Sequence, residues 1–152
     1  MKKQTLILEQ IDRKLVILKK IDDLTIPPSG WIYAIRQALG MSLRQLGNKM
    51  KITPQSVKDM EDREKNGTIS LNVLKQFGQS LEMKFVYGFI PKHGSLEELI
   101  EQRAFELAKD IVSRTSQSMK LEDQENNSSR IQKAIQEKAV ELKQVMPKYL
   151  WD

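Results

Sequence analysis

The sequence predicts a mainly α-helical protein, with four short helices at its centre, one short β-strand, and longer helices before and after them. Three observations carry this expectation. Apolar residues recur at steps of three and four over most of the chain, Gly, Pro, Ser and Thr punctuate that pattern at short intervals, and one run, "KFVYGFIP" at 84–91, has the composition of a strand.

From Lys3 to about Asp22, Leu8, Ile11, Leu15 and Leu18 form the apolar stripe of an amphipathic helix, suited to packing on the protein's own core or to a dimer seam. "TIPPSG" ends it, because two prolines remove amide donors. Four short helical patterns follow: "WIYAIRQAL", "LRQLGNKM", "PQSVKDMEDRE" and "LNVLKQFGQSL". Gly40 closes the first, Ser42 caps the second, Thr53 with Pro54 opens the third, and Ser70 caps the fourth. The "KFVYGFI" strand cannot stand alone, and the sequence offers no second strong strand, so a second copy of the chain is its natural partner. Ser95 and Glu98 make a capping box for a long helix reaching about Met119, with Leu96, Leu99, Ile100, Leu107, Ala108, Ile111 and Val112 on its apolar stripe. The polar run "EDQENNSS" reads as a linker, near 121–129. A last helix carries Ile131, Ala134, Ile135, Leu142, Val145 and Met146 and stops at Pro147. The expected division is therefore 1–24, an N-terminal helix; 29–92, a helical core with its strand; and 95–152, a C-terminal helical extension.

Composition limits the function classes. The 152 residues are 39% hydrophobic and 30% charged, which suits a globular protein with a core. A net charge of +5 favours acidic partners, nucleic acid first, although an excess this modest also serves solubility. There is no cysteine and His93 is the only histidine, so thiolate zinc sites, disulfides and catalytic dyads have almost no material. The seven glycines form no phosphate-cradling loop. No segment has the 18 or so apolar residues of a membrane span, and no secretory leader is recognisable. The expectation is a cytoplasmic protein that is not an enzyme and needs neither metal nor other cofactor. Trp31 and Trp151 are expected as core or interface anchors.

The second and third short helices meet across "MKIT", the connection length of a DNA-binding helix-turn-helix. Leu43, Leu46 and Met50 would face inward from one helix, Val57 and Met60 from the next. Thr53, Gln55, Ser56, Lys58 and Asp59 would then face outward as base-reading residues, since Gln pairs two ways with adenine, Ser and Thr bond to most bases, and a carboxylate accepts from cytosine. Ser42, Arg44, Lys49, Lys51 and Lys65 are the expected phosphate contacts at the rim. One feature resists this reading. The same helix carries Asp59, Glu61, Asp62 and Glu64, charges that a phosphate backbone repels.

The run "IRQALGMSLRQLGNKMKITPQSVKDMEDRE" followed by "ISLNVLKQFGQSL" resembles the helix-turn-helix of the phage repressor/Cro, or XRE, superfamily. Over nearly the whole chain, "PPSGWIYAIRQALGMS", "ITPQSVKDMEDRE" with "GTISL", and "KFVYGFIPK" are similar to the bacterial family called mobile mystery protein A. The resemblance implies a repressor-like DNA-binding core in which Arg36 pairs with Glu61, making Glu61 structural. Gly47 and Lys51 depart from it, standing where the superfamily usually has alanine and glycine, so Lys51 takes the position of unusual backbone angle.

Two function classes follow. One is a sequence-specific transcriptional regulator binding double-stranded DNA as a homodimer through Phe85, Val86, Tyr87 and Phe89, an autoregulatory repressor of its own mobile operon. The other is an antitoxin-like module that neutralises a Fic-domain protein, because members of the resembled family look to be paired with one. "SMKLED" from Ser118 offers the serine and Glu122 of a Fic-inhibitory motif, but Asp123 where Gly or Asn is usual.

Overall fold

In a computed structural model, the structure describes residues 2–119 and 127–152. Lys120 to Asp123 of the "SMKLED" motif, with its Glu122, and most of the expected linker lie outside the described residues. Among the described residues seven α-helices follow one another: α1 (Lys2–Lys19), α2 (Trp31–Ala38), α3 (Leu43–Met50), α4 (Pro54–Asn66), α5 (Leu71–Ser80), α6 (Leu96–Met119) and α7 (Asn127–Val145), with a 3-10 helix at Lys148–Trp151. They form two compact units, one from Asp23 to Gly88 and one from Met1–Asp22 with Phe89–Asp152.

In the Asp23–Gly88 unit the polar residues at the helix starts act as the sequence suggests. Ser42 Oγ accepts from the Gln45 N–H at 3.1 Å while Gln45 Oε1 accepts from the Ser42 N–H at 2.8 Å, a complete capping box. Thr53 and Ser70 accept from the Ser56 and Val73 N–H groups, and Pro54 sits at N1 of α4, where a missing amide costs nothing. These starts orient the amphipathic faces so that Ile32, Leu46, Val57, Met60 and Phe77 bury against one another, with Leu43, Met50, Ile52 and Leu74 around them.

The strand expected over 84–90 is absent, and no residue of the described chain is in a strand. After the left-handed Glu82, at φ 57°, the chain has no regular secondary structure, and no backbone–backbone hydrogen bond among the described residues involves 84–90. The reason is the one that makes isolated strands unstable: the ladder needs a second strand, and the described residues supply none. Phe85 and Tyr87 nonetheless stack at 5.7 Å between ring centroids, the alternation of an extended segment.

The other unit is a helical assembly built on α6. Ala104 and Ala108, fully buried one turn apart, have side chains small enough to let α7 pack closely, and Ile100, Leu142 and Leu150 complete the core. The N-terminal helix, expected as a segment of its own, belongs to this unit: Asp12 accepts from the Leu96 and Glu97 N–H groups at 2.8 and 3.2 Å, capping α6 together with Ser95. Lys143 lies between Glu97 and Glu101, whose hydrogen bonds hold its ammonium above the usual lysine range. Two further expectations are corrected: Ile11 of the α1 stripe stays exposed, and Asn127, Ser128 and Ser129 open α7 instead of continuing the linker. Leu150 is buried in the C-terminal turn and Trp151 is exposed, so of the two roles expected for Trp151 it does not fill that of core anchor.

Candidate nucleic-acid interface

α3 and α4 are joined by Lys51, Ile52 and Thr53. The turn is tight because Lys51 adopts the left-handed conformation, φ 60° and ψ 41°, and the Ile52 N–H bonds back to the Gly47 carbonyl at 2.9 Å. Gly47 is needed for that approach, since a Cβ on it would lie 2.7 Å from the Ile52 carbonyl oxygen. The two departures from the superfamily pattern are thus neighbours in space. One accepts the strain of the turn and the other makes room for it.

This turn delivers the start of α4 to the surface. Thr53, Gln55, Ser56, Lys58 and Asp59 are all exposed, opposite the buried Val57 and Met60. Their polar atoms are not equally free. Thr53 Oγ1 accepts from the Ser56 N–H at 3.0 Å and donates to Ser56 Oγ at 2.8 Å, so Thr53 is committed to the cap while the Ser56 hydroxyl keeps its own proton for donation. Gln55 is exposed with its amide unengaged among the described residues.

The acidic residues of α4 are each accounted for. Glu61 is 3% exposed and takes a two-point bond from Arg36, Nε to Oε2 at 2.8 Å and Nη2 to Oε1 at 3.0 Å, while Arg36 Nη1 donates to the Met41 carbonyl at 2.9 Å. The bond to Glu61 holds the Arg36 guanidinium above its ordinary value, against the opposing effect of burial. Glu64 reaches the start of α2, where Gly30 at the N-cap has no side chain, and accepts from the Trp31 and Ile32 N–H groups at 2.9 Å each. Asp59 pairs with Arg63 at 3.0 Å and Asp62 with Lys58 at 3.3 Å, both one turn along the helix. The Arg36–Glu61 pair was implied by the resemblance; the Glu64 cap and the Asp59–Arg63 pair were not anticipated, although the i,i+4 spacing of the latter was a usable signal.

The unit as a whole carries nine Lys and Arg against six Asp and Glu, a net of +3. With four acids engaged, Arg44, Lys49, Lys51 and Lys65 remain exposed and unpaired among the described residues. Arg44 and Lys49 lie on α3 and Lys51 in the turn that leads into α4, with the capping Ser42 at the head of α3. Lys65 is separate, ten residues beyond Gln55, which is about 15 Å along the axis. The expected phosphate set is therefore divided between α3 with its turn and the far end of α4.

Phe85 is half-buried, whereas Val86, Tyr87 and Phe89 are exposed at 64, 63 and 82%. Among the described residues no group of His, Cys, Asp and Glu could hold a metal ion, and no helix is long and apolar enough to cross a membrane.

In comparisons with known proteins, no family model, curated protein or solved structure matches the chain.

Proposed function

We propose that the chain is a sequence-specific DNA-binding transcriptional regulator, with Asp23–Gly88 as a repressor-like helix-turn-helix domain and α4 as its reading helix. One observation carries the reading. α4 presents the Gln55 amide and the Ser56 hydroxyl proton at its N-terminus, with its four acids bound by partners and unpaired cations on α3 and in the turn that leads into it. A helix that meets DNA must offer base-reading groups at its leading end and avoid uncompensated negative charge. The resemblance to the phage repressor/Cro superfamily and to the mobile mystery protein A family points the same way and implies a cytoplasmic, non-enzymatic repressor of its own mobile operon, with a Fic-domain protein as the operon's second product.

The regulator acts as a homodimer. A single reading helix is a small surface, and specific protein–DNA interfaces bury about 1,000 Å² or more of protein. The segment 84–90, without a backbone partner among the described residues, supports self-association: in an antiparallel pair centred on Tyr87, Phe85 of one copy would lie opposite Phe89 of the second, and Tyr87 opposite Tyr87, with all six rings on one face.

The experiment is a gel shift of the protein on its own promoter region beside a random duplex, repeated with Gln55→Ala. Preferential binding to the promoter, weakened by about 1–3 kcal/mol in the variant, is expected. Equal affinity for the two duplexes would reject sequence-specific regulation.

A further inference from the structure

We infer that Asp59 and Arg63 read DNA as a unit, with Asp59 fixing Arg63 so that its guanidinium takes a guanine in the major groove. The inference rests on the DNA-binding reading above and extends it to a residue outside the expected reading set.

Side chains on a helix lean toward its N-terminus, so Arg63 is carried back by about one turn, toward the leading end of α4. There its Nε meets Asp59 Oδ2 at 3.0 Å. A guanidinium held through Nε keeps both terminal nitrogens, and those two form an edge that matches O6 and N7 of guanine. The carboxylate thus does two things. It favours one orientation of a long side chain before DNA arrives, and its own charge is balanced by the arginine, so the pair adds no net repulsion toward phosphate.

The neighbouring pair provides a contrast. Lys58 and Asp62 are also one turn apart, at 3.3 Å, but an ammonium has no planar fork and its cation lies on the N-terminal side of its acid. A structural role for Asp59–Arg63 is small, because both side chains are more than half exposed, at 57 and 61%, and such surface pairs stabilise little. The pair also stands at a cleft of about 260 Å³ between α4 and the start of α5, in which Asp59 and Arg63 are the only charged residues and Ser56, Thr68, Ser70 and Gln76 supply neutral polar groups. The charge presented at that cleft is set by this pair alone.

The test is enrichment of binding sites from a random duplex library by the wild-type protein and by Arg63→Lys, Arg63→Ala and Asp59→Asn, with thermal melting of each variant to confirm folding. Wild type is expected to enrich a motif containing one guanine whose preference falls roughly 5- to 100-fold in both Arg63 variants while other positions persist. Arg63→Lys keeps the charge and loses the fork, so it separates reading from simple attraction. Asp59→Asn is expected to weaken the preference for the same guanine and no other base. A wild-type motif that survives at every position in both Arg63 variants overturns the inference, as does an Arg63→Ala effect spread evenly over all sequences, the mark of a phosphate contact. A wild-type protein that enriches no sequence overturns the DNA-binding reading and this inference with it.

Discussion

The carboxylate of Glu64 caps a helix that lies 33 residues away in sequence, its Oε2 accepting from the Trp31 N–H at 2.9 Å. The arrangement depends on Gly30, which has φ 90° and on which a Cβ would stand 2.8 Å from Glu64 Oε1. α4 is thereby tied to α2 at two levels, at Glu64 and one turn earlier at Glu61. Half of the acidity of α4 is scaffold.

Gly30→Ala is expected to destabilise the protein by about 1–3 kcal/mol, combining a disfavoured backbone angle with displacement of the cap. Glu64→Gln, which keeps one acceptor and removes the charge at the helix N-terminus, is expected to cost about 1 kcal/mol. Denaturant melts of the two variants and of their combination check this. If the glycine acts through the cap, the double variant costs less than the two single effects added together; full additivity would mean the backbone angle alone matters.

Arg36 and Glu61 are both buried, so removing either leaves the other without compensation. Glu61→Ala is expected to cost roughly 3–5 kcal/mol. Because the folded value of Arg36 is raised, its contribution is complete below the ordinary guanidinium range and is lost only as pH climbs through the raised value. The penalty from this arginine is therefore expected to be level from pH 6 to pH 9. Arg36→Lys keeps the charge without the fork and is expected to cost part of that amount. A Glu61→Ala protein that melts like wild type would show the pair to be dispensable.

What the sequence made legible was local. Ser42, Thr53 and Ser70 cap their helices through bonds spanning three residues, and Leu46, Val57 and Met60 are buried by periodicity, so short windows suffice for both. Contacts across long separations were hidden: the Glu64 cap spans 33 residues and the Asp12 cap of α6 spans 84, and neither leaves a periodic trace. Arg36–Glu61 spans 25 residues and was reached only through a resemblance. The 84–90 segment shows a different limit. Its composition is that of a strand, but a strand is a property of a pair, and one chain holds only half of it.

The left-handed Lys51 offers a test that separates folding from binding. A non-glycine residue pays roughly 1–2 kcal/mol for this conformation, part of which glycine gives back in chain entropy. Lys51→Gly is thus expected to stabilise the protein by about 1 kcal/mol. If Lys51 contacts phosphate, the same substitution also weakens DNA binding and lowers the salt slope by about 1. Gly47→Ala, whose Cβ would press on the Ile52 carbonyl, is expected to destabilise. A Lys51→Gly protein less stable than wild type would mean that the lysine side chain contributes packing that outweighs its backbone strain.

Dimer formation can be tested at Phe89, because its side chain is the most exposed of the large apolar residues, at 82%, and its replacement opens no cavity. An aromatic side chain buries about 150–250 Å², so Tyr87 and Phe89 of two copies offer roughly 400–700 Å² between them. A stable interface needs about 1,200–2,000 Å². The strands therefore set register and supply backbone bonds, and further apolar surface, of which α1 exposes Leu6, Val16 and Ile17, must contribute the rest. Phe89→Lys places a charge opposite Phe85 of the second copy and is expected to give folded monomers at micromolar concentration, with operator affinity at least tenfold lower; Val86→Lys, on the other face of the ribbon, is expected to be milder. Wild-type dimers reading a palindrome would place half-site centres about 34–36 Å apart or at a multiple of it. Sedimentation of wild type and of Phe89→Lys, each with and without operator, decides the matter: a wild-type protein that stays monomeric in both states while binding tightly rejects the dimer, and a Phe89→Lys protein that remains dimeric moves the interface away from this segment.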